Sequence, residues 1–216
     1  MAIGKRKTGD SIGKLTWEFG AGAFVAEDRV YADGEWQNKQ TNIANSEFRA
    51  VVDLANTETG WIAFLKGEGL NAVLAKIGHD YGARPSDDHH EGLRLVMKMD
   101  ESLGGGVREF ITTSVSLWGE IDKLHDAFLA GHKKHEGCLP AVDVAATREE
   151  QGRTCKLRVP VFKIAGWVPR PPELPEAGLP LVRRAKKKGD NGASTTTGSE
   201  YERPKPQDDM KDAIPF

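Results

Sequence analysis

From Lys14 to Trp167 the apolar side chains recur mostly at every second position, the spacing of β-strands with one buried face. Leu15, Trp17 and Phe19 alternate with Lys14, Thr16 and Glu18, and Phe48, Ala50, Val52 and Leu54 with Glu47, Arg49 and Asp53. Residues 61–65, Trp-Ile-Ala-Phe-Leu, form a continuous apolar run expected to be a strand buried on both faces. Leu93, Leu95, Met97 and Met99 alternate with Arg94 and Lys98. Val107, Ile111, Val115 and Leu117 alternate with Arg108, Phe110, Thr112 and Ser114. The last strand, residues 155–167, shifts phase around Pro160, which predicts a bulge or an edge position.

Two segments change to helical spacing. Leu70, Val73, Leu74 and Ile77 follow i, i+3, i+4, i+7, with Gly78 placed as a stop. Ile121, Leu124, His125, Phe128 and Leu129 follow Trp118 in the same way and end near Gly131. The expected order is three strands, a short helix, two strands joined through Gly104-Gly105-Gly106, a second helix and a last strand. Up to the fifth strand this is the order of an OB-type Greek-key barrel, so the fold class is expected to be mainly β and OB-like, with one or two added helices.

The pattern breaks near residue 170. Eight of the eleven prolines lie between Pro169 and Pro215, interleaved with the basic run Arg183, Arg184, Lys186, Lys187 and Lys188 and with a Gly/Ser/Thr stretch. Such a segment buries too little apolar surface to offset chain entropy. The expected organisation is therefore a domain over 1–170, a disordered linker over 171–207 and a tip over 208–216. The basic run is expected to add weakly to nucleic-acid binding.

The tip is acidic, then apolar: Asp208, Asp209 and Asp212 precede Ile214, Pro215 and Phe216, and a free carboxylate is expected on Phe216. A groove with an apolar pocket rimmed by Arg or Lys would capture the ring and the carboxylate together. An acidic stretch ending in Ile-Pro-Phe, on a linker after an OB-like domain, resembles the tip of bacterial and phage single-stranded DNA-binding proteins. Lys211 and Ala213 depart from the denser acidic run of that family, and residues 1–170 carry no signature of it, so a divergent, phage-type version is expected. The resemblance implies a barrel that coats single strands and a tip that recruits replication, recombination and repair proteins. It also implies competition between tip and DNA for the basic face.

Sequence-tolerant binding of single strands needs cations for phosphates and aromatic faces for bases. Strand parity offers Arg94 and Lys98 on one strand, Arg108 and Phe110 on the next, and Lys156 and Arg158 on the last. Trp36, in a polar segment read as a loop, and Trp61 are further stacking candidates. Trp17, Phe48 and Phe128 are expected in the core.

Two other chemistries need weighing. His132, His135, Cys138 and Cys155 are zinc-ligand types in sufficient number, but their spacing is not a standard zinc pattern. Loop histidines and two thiols are the expected reading, with no cofactor. His79, Asp80, Asp87, Asp88, His89, His90 and Glu91 could hold a nuclease metal, though neighbouring side chains diverge and Pro85 and Gly92 mark a loop. No phosphate-binding Gly-x-x-x-x-Gly-Lys-Ser/Thr motif and no nucleophile–base pair stands out, so the chain is not expected to be an enzyme. An adaptor of the replication machinery that does not bind DNA is the first alternative, a metal-dependent nuclease the second.

Thirty basic and thirty-two acidic residues give a net charge of −2. Two cysteines exclude a disulfide framework, and no apolar run approaches the roughly 20 residues that span a bilayer. The basic start lacks a signal-peptide core, so a cytoplasmic location and no membrane partner are expected. Homo-oligomers remain open.

Overall fold

The computed structural model describes residues 12–32, 34–66, 69–152 and 156–181. Ten strands and one α-helix follow in the order β1 (Gly13–Glu18), β2 (Ala23–Ala32), β3 (Glu35–Ile43), β4 (Arg49–Val52), β5 (Glu58–Leu65), β6 (Gly69–Lys76), β7 (His90–Met99), β8 (Val107–Thr112), α1 (Val115–Gly131), β9 (Cys138–Gln151) and β10 (Lys156–Pro169). They form one mixed sheet in the order β10-β9-β4-β7-β8-β1-β2-β3, with β5 and β6 branching from β7. The β1–β8 pair is parallel and the others are antiparallel.

The sheet curls without closing into a ladder. At the seam the Arg158 amide donates to the Phe19 carbonyl at 3.2 Å, and Trp17 Nε1 donates to the Arg158 carbonyl at 2.7 Å. Inside the curl lie the alternating residues the sequence marks: Leu15, Trp17, Phe48, Ala50, Val52, Leu93, Leu95, Met97 and Met99. Phe24 anchors them, edge-on to Trp17 at 4.8 Å and stacked on Phe48 at 4.4 Å. Helix α1 adds Leu117, Ile121, Leu124 and Phe128 to the same core, while Leu129 is exposed. Gly131, the last residue of α1, allows Trp167 to pack against it, because a Cβ there would sit 2.5 Å from the indole.

Several expectations are corrected. Residues 69–76 are a strand and not a helix: β6 pairs with β5 from Leu65↔Gly69 to Glu58↔Lys76. Leu70, Ala72 and Leu74 have period two as well, and pairing with β5 decides between the two periods. Gly78 serves a turn, with φ +83°. In the run at 61–65, Ile62 and Ala63 are buried but Phe64 is 63% exposed. Val115 and Leu117 belong to α1, not to the preceding strand, and Val115 is exposed. Strands β2, β3 and β9 were not anticipated. The phase shift in the last strand is present, with register breaks between Val161 and Phe162 and between Ile164 and Gly166, on a strand at one end of the sheet.

Packing also runs eleven residues past the expected break. Residues 170–181 form a strap over the outer face of the sheet. Leu174 is fully buried with Val96 and Leu139 in a second apolar cluster, flanked by Val51, Val107 and Leu179. Arg170 grips Asp53 with two bonds of 3.0 and 3.1 Å and also donates to the Leu174 and Pro175 carbonyls. Asn56 donates to the Glu176 carbonyl at 3.1 Å. Residues 182–216, which hold the rest of the expected linker, its basic run and the tip, lie outside the described residues. No helix among the described residues is long and apolar enough to cross a membrane.

Candidate nucleic-acid interface

Strands β2 and β3 make a long hairpin arm, paired without a register break from Phe24↔Ile43 to Ala32↔Glu35. They are joined by the dipeptide Asp33-Gly34, the sequence of a tight two-residue hairpin turn, and Gly34 takes the required positive φ, +84°. Only the base of the arm enters the core, through Phe24, Ala26 and Ile43; Glu35 to Asn42 are all exposed.

Cross-strand partners share a face. Tyr31 and Trp36 are such partners, and Arg29, two residues from Tyr31, lies on the same outer face beside Asn38. The rings meet edge-on at 5.3 Å, and the Arg29 guanidinium lies 5.2 Å from the Trp36 centroid. Tyr31 is 62% exposed and Trp36 53%. Two large rings and a cation thus stand together in water near the tip of the arm. Ring faces can stack on bases of any sequence, and a guanidinium can meet a phosphate.

The other sequence candidates are distributed differently. Arg94 is 1% exposed, and its guanidinium bonds Glu109 at 3.2 Å, Glu58 at 2.6 Å, and the strap carbonyls of Leu179 at 2.9 Å and Pro180 at 3.1 Å. Lys98 is on the outer face, as expected, but donates to Glu173 of the strap at 3.1 Å. That bond holds its pKa above the usual lysine value. Arg108 and Phe110 point inward, because β8 pairs Met97↔Arg108 and Leu95↔Phe110. Phe110 is 2% exposed and meets Phe24 edge-on at 5.9 Å. Arg108 is paired with Asp28 at 2.7 Å.

Trp61 is half-buried, edge-on to Tyr81, and its Nε1 donates to the Gly82 carbonyl at 2.9 Å. Lys156 and Arg158 are exposed on β10; Lys156 lies 3.3 Å from Glu149 and Arg158 donates to the Ala21 carbonyl at 3.3 Å. The Arg158 side chain packs on Gly22, at the opposite end of β2 from Tyr31 and roughly 30 Å away along the strand. Trp36 is therefore the sequence candidate that the structure places in the aromatic–cation cluster. Arg29 and Tyr31 were missed. The signal was Asp33-Gly34 with an aromatic residue two positions beyond each side.

The metal readings lose their geometry. His132 stacks on Phe128 at 5.2 Å and His135 on Trp167 at 4.7 Å. Cys155 lies outside the described residues, and β10 begins at Lys156, at the far end of the ladder from Cys138. In the second cluster His89 is buried with its Nδ1 2.8 Å from Ser86 Oγ, and Glu91 accepts the Tyr81 hydroxyl at 2.9 Å, a bond that raises the Tyr81 pKa. Among the described residues no three His, Cys, Asp or Glu side chains converge as a metal site.

No protein-family model, curated protein or solved structure matches this chain.

Proposed function

We propose that this chain binds single-stranded DNA through the outer face of the β2–β3 arm and recruits replication, recombination or repair proteins through its acidic tip. Bases stack on Tyr31 and Trp36, Arg29 pairs with the backbone, and no bond is made or broken. The observation that carries the reading is the exposed aromatic–cation cluster on the arm. Rings of this size left half in water mark a surface that takes a partner. The curl of the sheet and the hydrogen bonds at its seam support an OB-like barrel as the finer description of the fold.

The strap narrows where the strand can run. It covers the outer face of β4, β7 and β8 through Leu174 and engages Arg94 and Lys98, so that face is withdrawn from DNA. The outer face of β2 and β3 around Trp36 stays exposed.

The test is binding of fluorescent poly-dT and its duplex across a salt series, with the full chain, a version ending at Gln207, and Trp36→Ala. A stacked base contributes about 1–3 kcal/mol, so Trp36→Ala should weaken single-strand binding roughly 5- to 150-fold with stability unchanged. Affinity should fall with salt, and duplex should bind poorly. Failure of the intact chain to bind would overturn the proposal; retained tip-dependent capture of a replication protein would then favour the adaptor.

A further inference from the structure

We propose that the free edge of β3 pairs with the β3 of a second copy of this chain, in an antiparallel register centred on Gln37. Among the described residues β3 ends the main path of the sheet and pairs only with β2. Its exposed residues, Glu35 to Asn42, contain no proline, and its nine partners on β2 follow without a bulge. The other end of that path, β10, carries Pro160 and two register shifts, the devices that blunt an edge. β3 has neither a proline nor a register shift.

Charge selects the partner and the register. β3 carries one acid, Glu35, and one base, Lys39, on the same face and four residues apart. A two-fold axis at Gln37 sets Glu35 of each copy opposite Lys39 of the other, giving two ion pairs from one contact. Centring the axis on Lys39 would oppose two like charges, and centring it on Asn38 would leave both charges facing neutral residues. Asp28, the cross-strand neighbour of Lys39 within the chain, is already committed to Arg108 at 2.7 Å. On the opposite face the same register puts Trp36 opposite Asn38 and diagonal to its own copy, roughly 7–8 Å away and within aromatic reach. Tyr31 and Arg29 flank each Trp36, so the two arms would present four rings and two guanidiniums on one continuous surface.

The pairing itself stands independently of nucleic acid; only the doubled platform rests on the reading of the preceding section. The experiment is therefore run first without DNA. In a full chain carrying Cys138→Ser and Cys155→Ser, Gln37→Cys should form a disulfide-linked dimer under mild oxidation. Facing residues of an antiparallel pair have Cα atoms about 4.5–5.5 Å apart, which a disulfide spans. Thr41→Cys should not cross-link. In sedimentation equilibrium Glu35→Lys and Lys39→Glu should each raise the dimer dissociation constant about fivefold, and the double swap should restore it. A chain that stays monomeric at every concentration, a dimer indifferent to the swap, or equal cross-linking at Thr41 would overturn the pairing. Poly-dT titration of the Lys39→Glu variant then separates the two ideas. At a protein concentration between the wild-type and variant dimer dissociation constants, retained but weaker binding with a smaller site size fits both, and an unchanged site size refutes the shared platform.

Discussion

Replacing Arg94 with methionine removes the charge at the centre of the sheet while keeping a long side chain. Arg94 is 1% exposed and gives hydrogen bonds to two carboxylates and two strap carbonyls. Glu109 is 4% exposed and would lose its guanidinium contact in a buried setting, whereas Glu58, at 26%, can turn to water. Breaking a buried pair by deleting one partner costs about 3–5 kcal/mol. For a chain of this size each kcal/mol is worth about 2–4 °C, so the melting temperature should fall by roughly 6–20 °C. Urea unfolding should show a lower midpoint with an unchanged slope if the native packing survives. Adding Glu109→Gln should return part of the loss, since the buried carboxylate that has lost the guanidinium becomes neutral. Poly-dT affinity measured well below the melting range should stay within about twofold of wild type, small beside the stacking term. A stability loss under about 1 kcal/mol, the range of an exposed pair, would refute the buried-hub argument. An affinity loss matching that of Trp36→Ala would place Arg94 on the strand and refute the strap's position.

Leu174→Ala should destabilise the chain by about 2–5 kcal/mol and open residues 170–181 to limited proteolysis, since its side chain is fully buried in the cluster with Val96 and Leu139; unchanged cleavage would mean that the strap is held by its polar contacts. Asp100 accepts from the Ser102 hydroxyl and amide at 2.7 and 2.9 Å, and these bonds hold its pKa below its ordinary value of 3.8. A depressed carboxyl pKa stabilises the fold above the ordinary value, and that contribution disappears as pH falls through the folded value. The stability difference between wild type and Asp100→Ala should therefore be constant at neutral pH and shrink below about pH 4. A difference that persists unchanged at pH 2 would refute the linkage.

The inward row of the sheet was legible because burial on one face leaves an alternating record. Leu15, Trp17, Ala50, Val52, Leu93 and Leu95 were read correctly on that ground, as was α1 from its 3.6-residue period. β2 and β3 left no such record. Beyond Ala26 the hairpin leaves the core, so neither of its faces needs to be apolar. β6 was misread because a short apolar window satisfies both periods, and the pairing with β5 that decides between them is not local. The strap was missed for a related reason. Proline-rich sequence normally cannot bury enough surface, but here one leucine fills a site prepared by Val96 and Leu139, and the prolines spend no amide donors.

Phe110 and Trp36 show why the interface was only half legible. Each is an aromatic residue with polar residues close by: Phe110 follows Glu109 and has Arg108 and Thr112 on its face, and Trp36 lies between Glu35 and Gln37. Parity made Phe110 the better stacking candidate, on the premise that alternate polar residues mark a wet face. That premise fails for β7 and β8. They lie mid-sheet, with the aromatic core on one side and the strap on the other, so their cations are buried in ion pairs, Arg94 with the buried Glu109 and Arg108 with the half-buried Asp28. Among the described residues β3 has one neighbour and no cover, and there its ring stands in water. Availability for stacking is thus set by a strand's place in the sheet, which neither composition nor spacing encodes. The place that exposes Trp36 is also the place that leaves the β3 edge open to a second copy.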